Sequence, residues 1–501
     1  MVSGGMKRAM LGVMVLAARW AVPPATARPG LTGVEVIVVD PDATAYGTFQ
    51  SHNQKIISSR YGIFMVHLRS RNPSYTAQQW RLSRSPDGGR TFVRLFEATH
   101  ATNPAVLETD AAGNLYAARP DFADGNAYLY RFTPADGFRR PAVHRIPAAA
   151  AGKFAMAYDA ARRQLYYFSQ RGSLHVVGLD GQVRFVVSLL RPGEHAYLMY
   201  PLLSLARDGV LYAGWTTQKH GVYLYWDIHV MRSPDGGRTW QRLDGQSLSV
   251  PFPADDTGPA QRITLDDEFA SHTWLSNMMA LDGKLHLAYL AQTAPPREHY
   301  VRYDLSTGRQ DHRIQPAFRG SHISLRNLDG FFAAPAAGEG GPLYYVSRNA
   351  EDSRIACLAS DDNGSTWYDY AVSDEPRTPY AIGGCRAITA EGYIIGSFTE
   401  RRPDDASEKM HPARVCFLRI RAGLAAASVR RARYEAGRVH LRFADVRGRP
   451  TQIRLGAGSG RWGAWRRFEA TLAVTSDRRP ERFQLKSGGG AVSGPYPIPW
   501  P

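Results

Sequence analysis

Ser85-Pro86-Asp87-Gly88-Gly89-Arg90-Thr91-Phe92 recurs as Ser233-Pro234-Asp235-Gly236-Gly237-Arg238-Thr239-Trp240 and, with substitutions, as Ser360-Asp361-Asp362-Asn363-Gly364-Ser365-Thr366-Trp367. The shared pattern is Ser-x-Asp-x-Gly-x-Thr-aromatic. In such a stretch the Asp side chain bonds local backbone N–H groups, the glycine accepts a positive φ, and the aromatic folds back on the core of the flanking strands. Each copy therefore reads as a self-capped hairpin turn with a structural role.

A second periodicity surrounds these turns. An apolar run, a short turn and another apolar run recur over Ile56 to Leu68, Val106 to Ala118, Phe154 to Ser169, Leu202 to Trp215, Met278 to Leu290, Phe331 to Ser347 and Ala387 to Phe398. Their turns centre near Gly62, Gly113, Arg163, Gly209, Gly283, Gly341 and Gly392, at spacings of 46 to 74 residues, enough for a four-stranded unit. The Ser-x-Asp turns follow the first, fourth and sixth of these centres by 23, 24 and 19 residues, which ties the two patterns together. The repeated turn resembles the Asp-box of sialidase-type β-propellers. The expected fold is all-β: a seven-bladed β-propeller with Asp-box repeats over residues 28–422, followed by a small β-rich C-terminal extension over 423–501.

Composition agrees. The chain has 501 residues, 44% hydrophobic and 21% charged, with 47 glycines and 32 prolines spread throughout, which excludes disorder and a mostly helical protein. The net charge of +16 is uneven: residues 1–27 contribute +3, residues 423–501 contribute +10 from fifteen Lys/Arg against five Asp/Glu, and the centre holds the remaining +3. The C-terminal arginines are scattered singly without interleaved stacking aromatics, so no nucleic-acid partner is expected. Lys7 and Arg8, the apolar stretch Ala9 to Ala18 and the small-x-small site Ala25-Thr26-Ala27 read as an export signal ending at residue 27. No later run reaches the roughly 18 apolar residues of a membrane span. A secreted or periplasmic monomer is expected. Cys357, Cys385 and Cys416 lie in apolar runs and read as buried thiols rather than metal ligands or disulfides.

In a propeller, the residues leading into each innermost strand and those between the second and third strands converge on one mouth. They include His52, Asn53, His100, Asn103, Lys153, His195, Tyr197, Tyr200, His272, Asn277, His322, Arg326 and Arg386, and from the second set Arg119, Arg171, His220, Arg348 and Arg401. The set is rich in His, Tyr and Arg and poor in carboxylates. That suits an acidic sugar and proton transfer beside its carboxylate better than hydrolysis by two carboxylates.

At these residues the chain resembles the secreted seven-bladed BNR-repeat propellers that include ulvan lyases, rhamnose-glucuronate lyases and related α-L-rhamnosidases. The likeness spans most of residues 35–420. It rests on Ser51-His52-Asn53-Gln54-Lys55-Ile56 leading into the first unit, Tyr200-Pro201 leading into the fourth, and the Ser-x-Asp-Gly-Gly-x-Thr turns. It implies a polysaccharide lyase acting on uronic-acid glycans by β-elimination. His52, Tyr200 and His220 are implied as catalytic residues, with Arg119, His272 and Arg348 on the carboxylate and His100 and Asn53 as further substrate contacts. This chemistry requires no cofactor or metal.

Other readings are a sialidase, an α-L-rhamnosidase and a non-catalytic glycan-binding propeller. For the first, His144-Arg145-Ile146-Pro147 imitates a sialidase motif but falls after the first Asp-box, and Asp266, Asp267 and Glu268 offer carboxylates. For the last, Trp215, Trp226 and Trp274 offer stacking surfaces.

Overall fold

The structure is a computed structural model and describes residues 31–72, 77–99, 101, 103–314, 318–335, 341–400, 412–448, 450–458, 461–487, 492–493 and 495–500. The expected export signal and His100 lie outside them. Nearly every element is a β-strand, and the helical pieces among the described residues are two single 3₁₀ turns. No described helix is long and apolar enough to cross a membrane.

Antiparallel meanders follow one another along the chain, four-stranded except for the fourth, which has six strands. The first runs Ile56–Ser59, Gly62–Ser70, Gln78–Ser85 and Val93–Thr99, and the second Val106–Thr109, Leu115–Asp121, Asn126–Phe132 and Ala142–Ile146. The third begins at Phe154–Asp159, the fourth at Ala196–Leu205, the fifth at Thr273–Leu281 and the sixth at Leu325–Ala333. The last comprises Pro379–Gly384, Tyr393–Glu400, Pro412–Arg421 and, as its outermost strand, the N-terminal Thr32–Thr44. Its innermost strand thus begins before the expected Ala387, which instead bridges Ala334 of the preceding sheet. Thr32–Thr44 also touches Tyr368–Val372 at its start and Gly62–Ser70 at its end, so three sheets share one hydrogen-bonded system.

Burial explains the sequence pattern. Inner strands are covered by a neighbouring sheet on each face and read as continuous apolar runs, as in Phe64, Met65 and Val66, all fully buried. Outer strands alternate, as in Val183–Ser188, where half-buried and exposed residues take turns. The core is divided into clusters between neighbouring sheets. Phe64, Leu82, Leu107 and Leu115 fill the first gap, and Ile56, Met65, Ile395 and Phe417 join the last sheet to the first. The innermost strands touch in chain order, and Pro379–Gly384 returns to Ile56–Ser59.

The three Ser-x-Asp turns lie between the third and fourth strands of the first, fourth and sixth sheets and bond alike. Ser85 Oγ donates to Asp87 Oδ1 (2.7 Å) and accepts from Gly89 N (2.7 Å), while Asp87 accepts from Thr91 N (3.0 Å) and Thr91 Oγ1 (2.7 Å). The same contacts recur around Asp235 and Asp362. Where the first two copies place Gly88 and Gly236 at φ 72° and 78°, the third places Asn363 at 54°, the side chain best suited to left-handed backbone after glycine.

Beyond the last sheet, Ala426–Glu435, Arg438–Arg447 and Thr471–Thr475 form one sheet, and Pro450–Ala457, Arg482–Ser487 and three short strands form another. They enclose their own core of Val439, Leu441, Phe443, Ile453, Phe483 and Leu485. All three cysteines are buried and unbridged.

Candidate active site

Four innermost strands break register: between Leu198 and Tyr200, Leu275 and Asn277, Arg326 and Gly330, and Tyr380 and Gly383. Such bulges re-aim side chains out of the alternation. At these breaks the chain lines a cavity of about 310 Å3 with Tyr200, Leu275, Asp329, Tyr380 and Ala381, joined by Gln50, Ser51, His52, Lys153, Tyr223, Tyr225 and Trp274. Tyr200 is therefore a mid-strand residue of Ala196–Leu205 rather than one leading into it, as the sequence had suggested.

The Gln50 to Lys55 turn brings His52 to the cavity. Gln50 adopts φ 64°, and its carbonyl oxygen accepts from Asn53 N (3.0 Å) and from the fully buried Lys55 Nζ (2.7 Å). Strained backbone of this kind persists only where its surroundings fix it. The His52 ring meets Tyr200 edge to face at 5.8 Å. Burial holds the imidazole pKa well below its ordinary value, and the positive charges of Lys55 and Lys153 add to the effect. His52 Nε2 is buried without a hydrogen-bond partner. The imidazole is thus neutral at ordinary pH.

Burial has the opposite consequence for the phenol. Tyr200, whose hydroxyl donates to Tyr225 Oη at 3.3 Å, has its pKa raised and stays protonated. The Lys153 ammonium lies 5.2 Å from the Tyr200 ring centroid and 4.3 Å from that of Phe49. No hydrogen bond or ion pair engages it among the described residues, and burial lowers its pKa from 10.5 to about 8. Asp329 is the one carboxylate on the wall among the described residues, and its two oxygens accept from Ser51 Oγ and Ala381 N, both at 2.8 Å. A neutral base, a protonated phenol and an unpaired ammonium thus share one aromatic-walled space.

The other expected site residues are distributed differently. Asn53 lies beneath the cavity, bonded to Phe154 O and Gln50 Oε1. His272 is one layer behind the wall, stacked on Trp274 at 5.1 Å and accepting from Tyr225 N through Nδ1. Arg348 feels the charges of Asp329, Arg326 and Glu298, and burial lowers its pKa. Arg119 is buried in the second sheet, donating to Tyr130 Oη and Asp121 Oδ2, both at 3.2 Å. His220 is exposed, its Nε2 on Gly193 O (3.1 Å) and its ring 5.7 Å from Tyr197, which lines a separate cavity of about 410 Å3. Neither Arg119 nor His220 is among the residues lining the cavity of His52 and Tyr200.

The residues raised for the rival readings have structural partners. Arg145 of the sialidase-like stretch sits on the outermost strand Ala142–Ile146. Glu268 is buried in a 3₁₀ turn, accepting from Tyr289 Oη (3.0 Å) and bonded to His299 Nε2 (2.6 Å). Trp215 is buried against His229, and of the three tryptophans only Trp274 reaches the cavity. A larger cavity of about 860 Å3, among the turns that follow the innermost strands, holds the ion pair of Glu108 and Arg386, each neutralising the other.

Solved structures similar to this chain include a polysaccharide lyase of a new family, PL25 ulvan lyase, bound to -[GlcA(1-4)Rha3S]-. It has a TM-score of 0.53 and 11% identity, covering 76% of this chain and 95% of that one. Another is the polysaccharide lyase Uly1, with a TM-score of 0.52 and 11% identity over 78% of this chain and 100% of that one. At this identity the likeness shows a shared β-propeller fold. No protein-family model and no curated protein matches the chain.

Proposed function

We propose that the protein is an exported polysaccharide lyase that cleaves uronic-acid glycans of the rhamnose-glucuronate type by β-elimination. In this reading residues 28–422 form a closed seven-bladed propeller, 423–501 are an appended β-rich unit, and residues 1–27 are the export signal. The return of Pro379–Gly384 to Ile56–Ser59 supports the closed ring. The ulvan lyase solved with a glucuronate-rhamnose ligand supports the substrate class.

One observation carries the chemistry: His52, Tyr200 and Lys153 share one cavity in complementary protonation states. The Lys153 ammonium offsets the uronate carboxylate, which stabilises negative charge developing at C5. The His52 imidazole removes the C5 proton, and the C5–H electron pair becomes the C4–C5 double bond as the C4–O bond breaks. The departing oxygen takes the Tyr200 proton. Lys153 therefore replaces Arg119, which its own sheet already engages. Among the described residues Asp329 is the single carboxylate on the wall, which favours elimination over two-carboxylate hydrolysis.

The test is incubation with uronate polysaccharides while following the ultraviolet absorbance of the unsaturated uronate product. Absorbance should rise with the intact protein and not with His52→Ala. New reducing ends without absorbance would indicate hydrolysis, and no change in either would indicate a glycan-binding protein.

A further inference from the structure

The C-terminal unit carries a feature that the cavity chemistry does not use. Strands Pro450–Ala457 and Arg482–Ser487 pair with Arg454 opposite Gln484 and Gly456 opposite Arg482. One face buries Ile453, Phe483 and Leu485. Alternation sends Arg454, Arg482, Gln484 and Lys486 to the other face. Trp462 stands opposite Gly456, with the Arg454 guanidinium 4.9 Å and the Arg482 guanidinium 4.8 Å from its ring centroid. Arg454 also lies 4.6 Å from the Trp465 ring.

Two guanidinium groups held on one indole are unusual company, since like charges repel. Hydrogen bonds fix both: Arg454 donates to Gln484 Oε1 (2.9 and 2.6 Å) and Arg482 to Gly458 O (2.8 Å). Neither meets a carboxylate among the described residues, and Arg482 Nε is buried with no hydrogen-bond partner. The ring and these hydrogen bonds hold each guanidinium in place: Gln484 takes Nε and Nη2 of Arg454, and Gly458 takes Nη2 of Arg482, so Nη1 of each is the donor left for an anion.

We propose that this face is a second glycan site, in which Arg454 and Arg482, ordered by Trp462, hold carboxylates of an acidic polysaccharide and retain the polymer beside the cavity-bearing propeller. Choosing a uronate polymer rests on the lyase reading above, whereas the anion-binding geometry does not. Nucleic acid fits less well because sequence-tolerant binding to it uses open aromatic faces for base stacking, and Trp462 is engaged by its own arginines. Residues 423–501 hold a net +10, so the whole unit attracts polyanions, and the test separates that diffuse attraction from the built face.

The experiment uses the full-length exported chain with His52→Ala to prevent turnover, with polygalacturonate as the probe and uncharged dextran as the blank. Arg454→Gln/Arg482→Gln should weaken polygalacturonate binding at least tenfold. The charge-matched control Arg430→Gln/Arg431→Gln, at exposed positions of the other sheet, should change it less than twofold. Arg454→Lys/Arg482→Lys, which keeps charge but loses the planar fork, should behave like the Gln pair. Thermal melting checks that each variant is folded, and the Lys pair carries the test if the Gln pair is not. Equal losses in the Gln pair and the control, full retention by the Lys pair, or tighter binding to duplex DNA of matched charge would each overturn the proposal. Tenfold weaker binding together with absence of elimination in the wild-type chain would sink the lyase reading and leave this site standing.

Discussion

Replacing Lys153 with methionine separates the two roles that burial gives this residue. Methionine keeps most of the stem volume and removes the charge. A pKa held near 8 instead of 10.5 corresponds to roughly 3 kcal/mol of unfavourable charge burial at neutral pH, and partial solvent exposure reduces the effect to about 1–3 kcal/mol. The sign follows from proton counting. Between pH 8 and 10.5 the unfolded chain holds the lysine proton more tightly than the folded one, so the cost is complete below pH 8 and fades as pH rises to 10.5. Lys153→Met should therefore be more stable than wild type at pH 7, with the gap narrowing toward pH 10, as read by urea unfolding across pH. In the same variant kcat/KM on a uronate polysaccharide should fall about 100-fold, the usual cost of losing a preorganised electrostatic partner. In the wild type kcat/KM should decline above pH about 8, as the free enzyme loses the ammonium. The kcat limb should lie at higher pH, because a bound carboxylate favours the charged form. A variant that is less stable at every pH, or that turns over within twofold of wild type, would refute the reasoning.

His52→Gln should lower kcat about 10²–10⁴-fold with melting little changed, and the acid limb of the wild-type kcat/KM profile should lie well below pH 6.5, since burial and two lysines keep the imidazole neutral. Tyr200→Phe keeps the ring against His52 and should cost kcat far more than stability, which loses one hydrogen bond of about 1 kcal/mol. His220→Ala should leave kcat/KM within about twofold, as expected for a substitution at an exposed position outside the cavity. Asp235→Ala strips a turn of its contacts to Ser233, Arg238 and Thr239 and should destabilise the protein by about 1–3 kcal/mol in denaturant titration without changing KM.

The expected all-β fold was legible because its signals are local. A Ser-x-Asp turn encodes its own hydrogen bonds, and an inner strand covered on both faces must be apolar throughout. The sheet order at the last unit was harder to read: Pro379–Gly384 contains two glycines and a proline and does not look like a strand. The cavity was half legible. His52 sits in a motif next to a strand and was identifiable as a mouth residue, and Lys153 was visible at the mouth without any sign of its isolation. Asp329, Tyr380 and the aim of Tyr200 depend on bulges, which appear in the sequence only as Gly330, Gly383 and the Pro201 that follows Tyr200. Arg119 and His220 lie off this cavity, and position in the connectivity does not reveal that a neighbour such as Asp121 or Gly193 has taken the side chain's hydrogen bonds.

Thr32–Thr44 is made before every other described strand, yet its hydrogen-bonding partner Pro412–Arg421 is made only after the strands of all the intervening sheets, and Glu35 waits for Arg419 to form its ion pair. Through most of translation Val34-Glu35-Val36-Ile37-Val38-Val39 is thus a sticky ribbon with one charge and no mate, the composition that seeds intermolecular stacking. The chain is consequently exposed to clumping until that partner is made, and fusing the first strand directly behind residue 421 would relieve it.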